Sequence, residues 1–150
     1  MNIKIFVGLV LLTLLTISCT TIKDCGYDAV CFSNLAKNCK ASSLNIVDNG
    51  NLFKLTVRGI VSDNCEVSYK IIKINNSYKN EHPELSNVIE QKAVTCYLNL
   101  VDTTDNNQTY LDLIKKFNES IDKHCSGPLK DIFLEPASTE LKKQFTESIK

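Results

Sequence analysis

The chain has 150 residues, 17 basic and 17 acidic side chains, 43% hydrophobic residues and seven cysteines. A formal net charge of zero, with no clustered positive excess, leaves no electrostatic footprint for nucleic acid. The length suits one domain with a core of its own, so disulfides would reinforce the fold and not replace it.

Met1 to Lys4 carry a single positive charge, and the 13 residues Ile5 to Ile17 carry none. That run is shorter than the roughly 20 residues needed to cross the hydrocarbon core. It suits the apolar region of an export signal. The run ends in Leu15-Thr16-Ile17-Ser18-Cys19, which resembles the lipobox of bacterial-type lipoproteins. The resemblance implies that the Cys19 thiol takes a diacylglyceryl group and that cleavage before it leaves a lipidated N-terminus. Thr16 departs from the leucine commonest at that place in the family. Thr16 and Ser18 also suit an ordinary secretory peptidase, and an uncleaved anchor is a third reading. The expected organisation is a signal peptide over 1–18, a lipid-anchored tether over 19–23 and one domain over 24–150. The expected location is extracytoplasmic, held to the membrane through Cys19, or alternatively secreted.

Cysteine arithmetic bears on this. Seven is odd, which in an exported chain leaves one to explain. With Cys19 assigned to lipid, Cys25, Cys31, Cys39, Cys65, Cys96 and Cys125 suffice for three disulfides. Beyond the signal, 132 residues carry 16 basic side chains (the 17 less Lys4) against 17 acidic.

Asp24-Cys25-Gly26-Tyr27-Asp28 reads as a turn, with Asp28 the N-cap of a helix from Ala29 to about Asn38. Phe32, Leu35, Ala36 and Cys39 recur at helical spacing, placing Cys31 and Cys39 on roughly one side. Leu44–Val47 and Leu52–Val61 flank Asn49-Gly50, a strong type I′ hairpin signal. Cys65, Val67, Tyr69 and Ile71 alternate with polar residues in a third strand. Asn75 to Glu90 reads as a polar loop with one helical turn around Pro83 to Val88. A fourth strand runs from Lys92 to Val101. A helix follows Asp105, with Tyr110, Leu113, Ile114, Phe117 and Ile121 as its apolar stripe, closing at His124-Cys125 before Ser126-Gly127-Pro128. Leu129–Leu134 is a fifth strand or a turn, and Pro136 opens a last helix. The fold class is α+β: an antiparallel sheet of about four strands, helices on one face, disulfide-bonded.

No Cys-x-x-Cys spacing occurs, which argues against zinc ribbons and thioredoxin-type redox sites and for structural disulfides. Helix-to-sheet bridges are the favoured pairing, with Cys65 and Cys96 meeting Cys31, Cys39 or Cys125. His82, in Glu81-His82-Pro83-Glu84, and His124, at a helix end, are read as solvated and non-catalytic. His82 with Glu81 and Glu84 specifies no metal strongly, so neither metal nor cofactor is expected. Phosphate loops, HExxH and GxSxG are absent. Three glycosylation sequons begin at Asn75, Asn107 and Asn118.

The opening Cys25-Gly26-Tyr27-Asp28-Ala29-Val30-Cys31-Phe32, with Cys39 after it and Cys125-Ser126-Gly127-Pro128-Leu129 near the end, is similar to small exported proteins found largely in archaea that share CGxDxxCF. That resemblance implies no activity and transfers no functional residue. The leading expectation is a non-enzymatic binding or envelope-associated domain, with the membrane and an exported protein or envelope component as partners. A helix over an antiparallel sheet is also analogous, by fold alone, to cystatin-like inhibitors and NTF2-like pocket proteins. An inhibitor would show an exposed apolar wedge; an enzyme would show a cavity holding a histidine beside carboxylates.

Overall fold

A computed structural model describes residues 21–99 and 110–134. The signal segment, Cys19, the sequon at Asn107 and the helix expected from Pro136 lie outside the described residues. So does the start of the helix expected after Asp105.

The described elements are β1 (Lys23–Asp24), α1 (Ala29–Ala36), β2 (Ser42–Asp48), β3 (Asn51–Val61) and β4 (Asn64–Lys73). They continue with α2 (Asn76–Glu81), α3 (Pro83–Ile89), β5 (Ala93–Leu98), α4 (Tyr110–Ser120), β6 (Cys125–Ser126) and α5 (Pro128–Leu134). The α+β class holds, but the sheet has six strands and not about four, in the order β1-β2-β3-β4-β5-β6. It is antiparallel except where β1 pairs in parallel with β2. The two additional strands are two-residue edges, too short to show period-2 alternation, and each lies beside a cysteine bridge.

Alternation sorts the side chains. Leu44, Leu55, Tyr69 and Val94 stand in one row across β2 to β5, all buried. Val57, Val67 and Cys96 make the next row. Phe32, Ile89, Leu113, Phe117 and Leu129 from the helices complete the core. Each fully buried aliphatic side chain contributes about 1.5–3 kcal/mol relative to exposure. Tyr69 lies between Phe53 and Phe117, with ring centroids 5.5 and 6.0 Å away. Burial, with a smaller contribution from Asp48, pushes its hydroxyl well above the ordinary value of 10.0.

Asp28 does cap α1, accepting from the N–H groups of Val30 and Cys31 at 2.9 Å each. The helix ends at Ala36, earlier than its apolar spacing implies, because Cys39 adopts a left-handed backbone (φ 50°) and its N–H bonds back to Ala36. Cys39 therefore lies past the helix. The segment 75–90 is two helices and not a loop, since Asn75 caps α2 and Ser86 and Ile89 are buried under α3. Cys125 ends in a strand because the Tyr97 N–H bonds to the His124 carbonyl at 2.9 Å, drawing the chain onto β5. Leu129–Leu134 is helical, with Pro128 at a first-turn position that costs no hydrogen bond. At the intervening Gly127 (φ 115°), a Cβ would stand 2.8 Å from the Ala93 carbonyl oxygen, so only glycine fits.

Candidate functional site

Three disulfides use six of the seven cysteines. Cys25–Cys31 closes the tight loop ahead of α1, with Cα atoms 5.8 Å apart. Cys39–Cys65 ties the chain just beyond α1 to β4, spanning 26 residues. Cys96–Cys125 joins directly opposed residues of β5 and β6. Cys65 and Cys96 do meet Cys39 and Cys125, two of the expected partners. Cys39 lies just past α1, however, and Cys125 on the adjacent strand β6, so neither bridge starts within a helix, and Cys31 is taken by its near neighbour. Three bridges indicate an oxidising, extracytoplasmic environment. No described helix is long and apolar enough to cross a membrane.

The two histidines lie apart. His82 joins α2 to α3, exposed, its ring 4.9 Å from that of Tyr78. Glu81 and Glu84 beside it are also exposed. His124 is exposed between α4 and β6. Among the described residues, no group of three or more His, Cys, Asp or Glu side chains could hold a metal ion.

What the fold does bring together is a polar knot at the end of the sheet formed by the β2–β3 turn, here the far end. Asn75 donates through Nδ2 to the Asn49 carbonyl at 2.6 Å, and its own N–H bonds to Asn51 Oδ1 at 2.9 Å. Asn75 Oδ1 accepts from the Tyr78 N–H at 2.7 Å. Its amide is thus committed internally, which sets the Asn75 sequon against modification in the folded state; Asn118 is exposed on α4. Glu90 receives Lys79 Nζ at 2.8 and 2.9 Å and the Ile74 N–H at 3.1 Å. Those bonds, Lys79 first, hold the Glu90 carboxyl below its ordinary 4.5. Gln91 reaches the Ile72 carbonyl.

The face of the sheet opposite the core row carries a row of hydroxyls. Ser43, Thr56, Ser68, Thr95 and Ser126 are successive register partners across β2 to β6. At its β1 edge, Asp24 accepts from the Ser43 hydroxyl at 3.0 Å and from the Gly26 N–H at 3.1 Å. The Gly26 bond, then Ser43 and Lys54, lower the Asp24 carboxyl from its ordinary 3.8. The next row is Asn45, Lys54, Lys70 and Ala93. Two lysines stand directly opposite one another there, an arrangement that repels.

The other end of the sheet, the near end, is apolar at its tip. Ile60 is 69% exposed and Val61 43%, at the β3–β4 hairpin. The inhibitor reading asked for an exposed apolar loop or wedge, for which Asn75–Glu90 is too polar; the exposed apolar hairpin is here. The hydroxyl row was written in the sequence as the polar half of each alternation. Finding it required the register, which one-residue bulges in β3–β4 pairing obscure.

No family model matches this sequence, and comparison with curated proteins and with solved structures finds no significant match.

Proposed function

We propose that the chain is a membrane-anchored, extracytoplasmic, non-enzymatic domain that binds a component of the cell envelope. One observation carries the anchor: the three bridges consume every cysteine but one, and that one is Cys19, at the end of the export signal. A lipid on Cys19 accounts for the odd count without a free thiol.

The half-buried polar residues on the sheet face opposite the core support the binding role. Ser43 and Ser68 are buried within its hydroxyl row, which leaves the half-buried Thr56 and Thr95 and the exposed Ser126 to offer donors and acceptors. Lys54 and Lys70 beside it favour an anionic, hydroxyl-rich envelope polymer, whose charge would relieve their mutual repulsion.

Two measurements test the reading. Cys19→Ala should release the protein from membranes or block its processing, and mass spectrometry of the mature N-terminus should find a diacylglyceryl-sized addition. An unmodified Cys19 at that terminus sinks the anchor and leaves export standing. Lys54→Glu with Lys70→Glu should weaken retention on isolated envelope at low salt, the loss shrinking as salt rises. Unchanged retention removes that face from the role.

A further inference from the structure

We infer that the near end of the sheet rests on the lipid bilayer, with the Ile60-Val61 hairpin tip seated among the headgroups; the inference rests on the anchor at Cys19. Chain geometry is the first argument. Lys23 is level with Ser42, and Ser42 with Val57. Because β1 is parallel to β2 and β2 antiparallel to β3, stepping back from Lys23 leads the same way as stepping forward from Val57. Four residues back is Cys19, and four forward is Val61. Extended chain advances at most about 3.3–3.6 Å per residue, so Cys19 lies within about 14 Å of Lys23. The strand from Val57 to Val61 advances about 13 Å. The tether therefore lets the lipid-bearing residue reach about as far out as the hairpin tip. A diacylglyceryl group seats its glycerol at headgroup level, which brings the bilayer surface to that tip.

The side chains there suit such a surface. Ile22, 46% exposed, leads back toward Cys19, and Tyr97, 40% exposed, is level with Gly59 through Glu66. Tyrosine at headgroup depth keeps its ring in the apolar layer and its hydroxyl in water. Lys23 at the same end favours anionic headgroups, and Arg58 there is shared with Glu66 at 3.6 Å. Asp63, in the turn itself, keeps the seating shallow, within the roughly 5–7 Å of polar headgroup on each side of a bilayer.

The chain contains no tryptophan, so a single one reports its own surroundings. Ile60→Trp and, as a second probe, Val61→Trp replace exposed residues; Val47→Trp, at the far end of β2, is the control. Each full-length processed protein is reconstituted into phosphatidylcholine–phosphatidylglycerol vesicles with brominated acyl chains. Flotation of the same samples reads the anchor. The expected result is flotation, with both tip tryptophans shifted to shorter wavelength and quenched by bromine while the control is not. Flotation with both tip probes unquenched overturns the orientation and leaves the anchor standing, as does stronger quenching of the control. Tip probes shielded from aqueous quencher but not reached by bromine mean that a second copy covers the tip, which also overturns it. Protein that fails to float overturns the anchor and this inference together.

Discussion

At the far end of the sheet the chain reverses through Asn49-Gly50, at φ 47° and 77°; at the near end it reverses through Ser62-Asp63, at 48° and 66°. Both pairs occupy the left-handed positions that a two-residue hairpin demands. Glycine accepts that backbone freely and asparagine nearly so, whereas Ser62 is held there against its Cβ. The supports differ as well. Asn75, Asn51, Glu90 and Lys79 knit the far end through hydrogen bonds. Among the described residues near the other tip stand a side-chain bond, Asn64 Nδ2 to the Ser62 carbonyl at 3.1 Å, and a looser ion pair, Arg58–Glu66 at 3.6 Å. Behind them lie two covalent ties, at Cys65 and Cys96. One end is closed by polar chemistry that depends on charge. The other is locked at its base by sulfur and left apolar at its tip.

The largest effect expected from this contrast comes from the bridges. Cys39→Ser with Cys65→Ser opens a 26-residue link, for which the chain-entropy account gives about 3.5 kcal/mol of lost stability. Cys25→Ser with Cys31→Ser opens one of six residues, and about 2 kcal/mol is expected. Urea denaturation measures both. Hydrogen exchange on the first variant should speed up at Cys65–Val67 before it does at Asn75–Tyr78. Simultaneous opening of the two segments would mean that the ends are one cooperative unit, and the contrast would fail.

The far end breaks differently. Asn75→Ala removes a helix cap and the side-chain bond to Asn49, a loss of about 2 kcal/mol. Tip-probe fluorescence at Ile60 should not respond. Acid should act on the same end. Glu90 is held below its ordinary value, so the folded state binds that proton less readily than the unfolded chain. Its contribution is complete above about pH 4.5 and is lost as pH falls from there through the lowered folded value. Asp24 is lowered too, so the β1 edge weakens in a similar window and the hairpin tip is the proper reference. Exchange at Ile74 and Tyr78 should rise on acidification ahead of exchange at the tip. Glu90→Gln should flatten that response.

These differences were unevenly legible in the sequence. Alternation in Phe53–Val57 and Cys65–Ile71 announced the central strands, Asn49-Gly50 announced its turn, and Asp28 announced α1. The polar knot was hidden because Asn75 acts on residues 24 and 26 positions earlier, a separation that no local pattern encodes. For the same reason 75–90 read as loop: its helices are short, and Tyr78, Leu85 and Ile89 anchor them by tertiary packing and not by a continuous stripe. The edge strands at Lys23 and Cys125 exist through their neighbours. The apolar tip was legible as Ile60-Val61 but looked like the continuation of a buried strand, since period-2 reasoning does not say where a strand outruns its sheet.

The smallest expected effect tests the strain at the near turn. Replacing Ser62-Asp63 with the far end's pair, Ser62→Asn with Asp63→Gly, relieves the Cβ conflict and should stabilise the protein by about 1 kcal/mol. Thermal unfolding would register that as a rise of several degrees. The same change removes the one carboxylate in the tip. If Asp63 limits how deeply the hairpin seats, bromine quenching of Ile60→Trp should increase in the combined variant, whereas the restoring variant, Ser62→Asn alone, should leave it unchanged. Greater stability with unaltered quenching would separate the two roles: the turn would be strained, but its charge would not govern the depth of the tip.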